Sequence, residues 1–149
     1  MSEHFVDVRW KRQTNDFAYD SFNRGHDWTF DSGLTIPGSS APGYYGDMDR
    51  VDPEEAFIAA LSSCHMLTFL AIASKKKLVV DAYDDHPVGH LDKNEQGKIA
   101  ITSVDLNPRV AFAPGVEVDA ATLKKLHDSA HDHCFIANSI TARVTINPK

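Results

Sequence analysis

Residues 53–77 read PEEAFIAALSSCHMLTFLAIASKKK, and this stretch decides the fold because it predicts one long helix. Asp52 is suited to the N-cap and Pro53 to the first helical position. Glu54 and Glu55 in the first turn, and the lysines at the far end, complement the helix dipole. Apolar residues occupy every face between these ends. We therefore expect a central helix that is buried on most sides.

Strand-like segments lie on both sides of this helix, and a second helix follows near the C-terminus. Residues 34–50, LTIPGSSAPGYYGDMDR, are rich in glycine, proline and serine and predict a long irregular loop. Asp119 caps the second predicted helix, which runs to Cys134. The pattern predicts an α+β fold in a single domain, residues 1–149, with antiparallel strands around the buried helix. The predicted strand segments are 4–12, 16–23, 26–31, 78–93, 98–114 and 140–148, with a turn at 94–97.

The composition excludes several classes of protein. Of the 149 residues, 42% are hydrophobic and 24% charged, which is typical of a globular domain. The net charge of -6 disfavours a nucleic-acid partner, because tracking phosphates needs an excess of lysine and arginine. The N-terminus lacks the apolar core of a signal peptide, and we expect no run long enough to cross a bilayer. The sequence thus predicts a cytoplasmic protein with no membrane partner.

The two cysteines are candidates for chemistry. A reducing compartment makes a cysteine pair more often redox-active than structural. Cys64 and Cys134 fall on the inward faces of two predicted helices, and packed helices are about 8–10 Å apart, so the two thiols could meet. The alternative is two unrelated core cysteines. Cys64 gains little from the dipole in mid-helix, so a thiolate there needs a fixed cation. His65 points elsewhere, about 100° round the helix, and an arginine suits the role better.

The roles of Glu54 and of a histidine pair in the second predicted helix remain open on the sequence alone. Glu54 lies about 15 Å along the helix from Cys64. It is either an ordinary first-turn acid, or it acts through an arginine or in a partner subunit's site. His127 and His131 are spaced i, i+4 with Cys134 beyond them, which is a possible zinc-binding arrangement. We favour a solvated or capping role for these histidines near the helix C-terminus over metal binding.

Three segments together resemble the OsmC/Ohr family of thiol-dependent peroxidases. They are FNRGHDWTFDSG with Arg24, DPEEAFIAALSSCH with Glu54 and Cys64, and AHDHCFIANSI with His131 and Cys134. The middle segment is the most specific, because a Pro-Glu start is followed by cysteine ten positions after the glutamate. The resemblance covers most of the chain.

The resemblance implies a function and a site. Cys64 would attack an organic hydroperoxide, and Cys134 would close an intrachain disulfide with it. Arg24 would hold the thiolate, with Glu54 fixing its guanidinium. The family fold is an intertwined homodimer with sites at the subunit interface. No bound cofactor is implied; an external dithiol, of which a lipoyl group is one candidate, would reduce the disulfide.

One departure from the family pattern concerns the substrate. Many members with marked organic hydroperoxide activity have a proline after the second cysteine, where this chain has Phe135. The segment CHMLTFL resembles the broader OsmC-like branch. Two other functions remain open: a small-molecule or lipid-binding protein with inert cysteines, and a metal-dependent protein using His127, His131 and Cys134.

Overall fold

The computed structural model describes residues 2–149, which cluster into two compact units, the first ending at Ala56 and the second comprising Phe57–Lys149. The α+β fold class is confirmed, with two helices and several antiparallel strand pairs in the described part of the chain. The helices are α1, Pro53–Lys75, and α2, Ala120–His133. The prediction of one domain over residues 1–149 stays a prediction.

The first unit holds one antiparallel sheet of three strands in the order β1-β2-β3. Its strands are β1, Val6–Arg9, β2, His26–Phe30, and β3, Thr35–Gly38. The predicted strand at 16–23 is wrong: this segment forms turns, in which the amides of Ser21 and Phe22 donate to the carbonyl of Ala18. The predicted irregular loop at 34–50 is also wrong in part, since it contains β3 and a short 3-10 helix, Pro42–Tyr44.

The second unit holds two sheets and α2. Strands β4, Val80–Asp84, and β7, Arg109–Phe112, form an antiparallel pair. The other sheet has the order β5-β6-β8, with β5, Val88–Lys93, β6, Ile99–Leu106, and β8, Arg143–Ile146. Strand β8 runs parallel to β6, unlike the antiparallel arrangement predicted from the sequence. The reason is that α2 intervenes between β7 and β8 and carries the chain back across the sheet.

The start of α1 follows the sequence prediction. The Asp52 carboxylate accepts a hydrogen bond from the Glu55 amide at 2.7 Å, and the Glu55 carboxylate accepts one from the Asp52 amide at 3.2 Å. This reciprocal pair is a capping box, which satisfies two amides at the helix start. Asp119 likewise caps α2 by accepting from the Thr122 amide at 2.7 Å.

The burial of α1 differs from the prediction. Its fully buried residues form one stripe at i, i+4 spacing: Leu61, His65, Phe69 and Ala73. Leu67 on another face is 60% exposed, so the expectation of a helix buried on most sides is wrong for the single chain. The expectation of no run long enough to cross a bilayer is also wrong, because α1 meets that test by length and composition. Core helices of soluble proteins meet the same test.

Two core clusters position α1 in the second unit. The first cluster joins α1 and the end of α2 to β6 through Leu61, Val104, Leu106 and Cys134. The second joins the later turns of α1 to α2 through Phe69, Ala73, Leu126 and Ala130. The two helices therefore contact each other on both sides of His65.

Candidate active site

The thiols of Cys64 and Cys134 come together in the second unit. Cys64 lies midway along α1 and is half-buried, whereas Cys134 is the C-cap residue of α2 and is fully buried. Cys64 packs against the first core cluster, which contains Cys134, and the two thiols are near enough for Cys64 to raise the pKa of Cys134. Both cysteines are free, so the structure describes the reduced state. The two cysteines, whose meeting the sequence left open, therefore lie in the same core cluster.

The environment of Cys134 keeps it protonated. Burial raises the pKa of the Cys134 thiol to about 11, and the hydrogen bond with Cys64 contributes in the same direction. The Ala137 amide, which donates to the Cys134 sulfur at 3.4 Å, partly opposes this rise in pKa. A thiol attacks only as its thiolate, so Cys134 is a poor nucleophile until it loses its proton. Cys64 is the better placed of the two for a first attack.

A groove beside α1 gives access to Cys64. It has a volume of about 790 Å³, and Cys64 is one of its lining residues. Its lining is mostly apolar, and Phe135 beside it is 83% exposed. The other lining residues are Ala60, Ser63, Leu67, Thr68, Ala71, Asp132, His133, Ile136 and Asn138. A small apolar molecule can therefore enter beside Cys64.

Arg24 lies in the first unit, just before β2. Its guanidinium donates to the carbonyls of Phe22 and Tyr19 and stacks over the Phe22 ring at 3.7 Å. It also borders a pocket of about 320 Å³ with an aromatic lining that includes Trp10 and Phe17. The guanidinium of Arg24 is therefore oriented by backbone carbonyls. The resemblance had implied that the carboxylate of Glu54 would orient it.

Glu54 lies in the first turn of α1 and is half-buried. Its carboxylate forms no hydrogen bond or ion pair with the described residues 2–149, Arg24 included. Of the four predicted site residues, the structure brings together Cys64 and Cys134 and does not pair Arg24 with Glu54. The partner-subunit role considered for Glu54 stays a prediction.

A buried histidine pair, which was not predicted from the sequence, lies between the helices. His65 Nε2 and His127 Nδ1 are 3.0 Å apart, and each residue is 1% exposed. Burial is the main cause that lowers the pKa of both imidazoles to about 4. The solvated or capping role expected for His127 is therefore wrong. The signal was present, because His127 adjoins Leu126 and precedes Ala130 by three positions, within the apolar stripe of α2.

The remaining histidines of α2 differ in role. His131 is half-buried, and its Nδ1 is buried with no partner among residues 2–149. His133 is exposed, and its Nδ1 donates to the Ser129 carbonyl, which suits the C-terminal turn. Within residues 2–149, no group of three or more His, Cys, Asp and Glu side chains is arranged to hold a metal ion. The metal-site alternative built on His127, His131 and Cys134 thus gains no support.

Comparison with known proteins places these features in a family. The family described as "OsmC-like protein" matches residues 46–149. An OsmC-like protein of unknown function from Vibrio cholerae is 44% identical over 100% of both chains, with a TM-score of 0.96. The organic hydroperoxide resistance protein OhrB of Bacillus subtilis is 19% identical over 99% of this chain and 98% of its own, with a TM-score of 0.72.

A second organic hydroperoxide resistance protein, from Elizabethkingia anophelis, shares the fold. It is 16% identical over 99% of this chain and 97% of its own, with a TM-score of 0.73. At these identities the likeness concerns the fold alone. No curated protein sequence matches the chain.

Proposed function

The chain belongs to the OsmC-like protein family, and from this premise we propose that it is a thiol-dependent peroxidase that reduces organic hydroperoxides to alcohols. One observation carries the proposal: Cys64 and Cys134, 70 positions apart in the sequence, pack together in one core cluster between two helices, where Cys64 raises the pKa of Cys134. Unrelated core cysteines have no reason to meet in this way. A cysteine peroxidase that closes an intrachain disulfide requires it.

The first step is attack by Cys64. Its thiolate attacks the terminal oxygen of the hydroperoxide, the O–O bond breaks, and an alkoxide leaves and takes up a proton to become the alcohol. The sulfur is oxidised to a sulfenic acid and the peroxide is reduced by two electrons. Because Cys64 lines the groove, the peroxide reaches it without passing the buried Cys134.

The second step uses Cys134. The Cys134 thiol passes its proton to the sulfenic oxygen of Cys64 as its sulfur attacks the Cys64 sulfur, and the S–O bond breaks so that the oxygen leaves as water. The product is the Cys64–Cys134 disulfide. An external dithiol then reduces this disulfide through a mixed disulfide, which completes the cycle with no bound cofactor.

Arg24 is proposed to stabilise the Cys64 thiolate and to polarise the peroxide. A guanidinium stays charged in an apolar setting, whereas a lysine or histidine can lose its proton there. The proposal includes a homodimer, in which Glu54 orients the Arg24 guanidinium of its own or the partner subunit. The free carboxylate of Glu54 and the uncovered apolar face of α1 around Leu67 support this arrangement.

The substrate class follows from the groove. Its lining is mostly apolar, so each methylene of an alkyl tail that it buries contributes about 0.8 kcal/mol to binding. Hydrogen peroxide has no such tail. We therefore propose alkyl or aryl hydroperoxides as the substrates.

The test is a count of free thiols by intact-protein mass spectrometry before and after one equivalent of cumene hydroperoxide. We expect the wild-type protein to lose two thiols and two hydrogens. Cys64→Ser is expected to lose none. Cys134→Ser is expected to give a Cys64 sulfenic acid that dimedone traps.

Two outcomes would contradict the proposal. Wild-type thiols that stay reduced under these conditions would favour the alternative, an OsmC-like protein that binds small molecules or lipids in the groove. Equal rates with cumene hydroperoxide and hydrogen peroxide would contradict the substrate class while leaving the thiol chemistry in place.

A further inference from the structure

We infer that the hydrogen bond between His65 and His127 fixes α1 against α2 in the register that keeps Cys64 and Cys134 within reach of each other. Both histidines are then positioning residues for closure of the disulfide. The purpose of that disulfide rests on the proposed function, whereas the geometry of the histidine pair does not.

The pair is a directional contact in the middle of the helix interface. His65 Nε2 and His127 Nδ1 are 3.0 Å apart, and the two rings are nearly parallel at 4°. One nitrogen carries the shared proton and the other accepts it. The Phe69 ring lies 4.5 Å from the His127 ring, centroid to centroid, which limits sideways movement. A pair of leucines could slide along each other, whereas this hydrogen bond breaks after a shift of about 1 Å.

The pair is placed to control the thiols. His65 immediately follows Cys64, and His127 precedes Cys134 by seven residues, or two turns of α2. The thiol contact lies at the Leu61 end of the helix interface, and the Phe69 cluster lies beyond the histidines. A shift of α2 along α1 would therefore separate the sulfurs as it broke the hydrogen bond.

The pair is neutral near pH 7. Burial lowers the pKa of each imidazole to about 4, and the charges of His127 and His131 lower that of His65 further. Asp85 acts in the opposite direction on both rings, and Asp128 does so on His127. Tyr83 from β4 also faces the His127 ring, and burial raises its own pKa, so it stays neutral. If both rings became protonated, His65 Nε2 and His127 Nδ1 would both be donors. The hydrogen bond between them would then be lost and the helices would separate.

The experiment separates disulfide closure from peroxide chemistry. Diamide takes two electrons and two protons from a pair of adjacent thiols, forming a disulfide and a hydrazine, so it closes Cys64–Cys134 without a peroxide. We expect His127→Leu to slow diamide closure by about ten- to a hundredfold. His127→Asn places an amide where Nδ1 was and is expected to restore closure to within about threefold of wild type.

A matched control comes from an exposed histidine in the same unit. His90 Nε2 lies 3.0 Å from an Asp105 carboxylate oxygen at the surface. His90→Leu removes a histidine contact of the same length, and we expect its closure rate to equal that of wild type. A folded His127→Leu protein, with a wild-type circular dichroism spectrum, that closes as fast as wild type would overturn the inference.

A second measurement covers the case in which His127→Leu does not fold. The double variant His65→Gln/His127→Asn keeps an amide contact and has no titrating ring at this position. As the pH falls from 7 to 4, we expect wild-type closure to slow more steeply than closure of the double variant. Parallel pH profiles would overturn the inference.

Failure of the proposed function has a different signature. If the wild-type thiols do not react with cumene hydroperoxide but form the disulfide with diamide, only the peroxidase proposal is contradicted. The effect of His127→Leu on diamide closure would still decide the positioning role.

Discussion

Cys134 keeps its proton at neutral pH, and this property distinguishes the proposed roles of the two cysteines: Cys64 attacks the peroxide and Cys134 closes the disulfide. Its thiol pKa is raised to about 11 by burial, so it does not compete with Cys64 for the peroxide. In the proposed second step, the sulfenic oxygen of Cys64 accepts the proton of the Cys134 thiol as the S–S bond forms. The proposed order of the two chemical steps therefore follows from the environment of one buried sulfur.

Arg24 offers a test at the same scale. The variant Arg24→Lys keeps a positive charge but loses the planar group that bonds the Phe22 and Tyr19 carbonyls and stacks on Phe22. We expect the rate of Cys64 sulfenic acid formation to fall at least about tenfold, because a lysine cannot present two parallel donors to thiolate and peroxide. Stopped-flow measurement with cumene hydroperoxide gives this rate.

Arg12 supplies the control for Arg24. Its guanidinium also donates to two backbone carbonyls, those of Thr14 and Asn15, in an exposed turn. Arg12→Lys is expected to leave the rate unchanged. Equal losses in the two variants would mean that Arg24 only supports its loop.

Helical phase puts Cys64 and Cys134 on inward faces, which leaves two unrelated core cysteines as an alternative; the resemblance to the OsmC/Ohr family is what predicted them as a pair. The sequence did not allow the histidine pair to be predicted. His65 and His127 are polar, and one nitrogen of each ring is satisfied in the core by the other histidine, 62 positions away. The apolar stripe of α2 indicates that His127 is buried, but the choice of His65 as its partner is a property of the packed helices and has no local signal.

At the scale of elements, the α1–α2 contact makes stability depend on pH. Each imidazole has a folded-state pKa of about 4, below the ordinary value of 6.5, so the unfolded chain binds protons that the folded chain does not. Stability from this source is therefore present above pH 6.5 and is lost as the pH falls towards 4. We expect a loss of about 2 kcal/mol per histidine between pH 7 and pH 5. Urea unfolding followed by circular dichroism measures it.

The double variant His65→Gln/His127→Asn is the reference for this measurement. It has no imidazole in the contact, so its free energy of unfolding should change less between pH 7 and pH 5 than that of wild type. An equal change in both proteins would place the acid sensitivity elsewhere, for example in the His90–Asp105 pair.

The elements themselves were predictable where their causes are local. Asp52 and Asp119 fix the starts of both helices through bonds to amides three residues ahead. Segment 16–23 has a strand-like pattern and yet turns, because its side chains and amides bond locally. The pairing of β8 with β6 joins residues about 40 positions apart, and no local signal states its direction.

At the scale of the whole molecule, α1 has more apolar surface than the chain covers. Leu67 is 60% exposed in mid-helix, although the helix is apolar on every face. The proposed homodimer would cover this surface. We expect light scattering to give about twice the chain mass of 16.5 kDa for wild type and a monomer for Leu67→Lys, because a buried unpaired ammonium is costly.

Leu34 provides a matched control for Leu67. It is also 60% exposed but lies between β2 and β3 in the first unit. Leu34→Lys is expected to keep the wild-type mass. A monomeric wild-type protein, or dissociation in both variants, would contradict the assignment of this face of α1 as the dimer interface.

The closeness of the two thiols also predicts which reductants can complete the proposed cycle. Two sulfurs held together by the fold face each other at a high effective concentration, so an opened disulfide tends to close again. A monothiol such as glutathione forms a mixed disulfide with one cysteine, and the other cysteine expels it before a second molecule arrives. A dithiol carries its own second sulfur and completes the exchange within one encounter. The packing of α1 against α2 therefore predicts that dithiols reduce the proposed disulfide more efficiently than monothiols do.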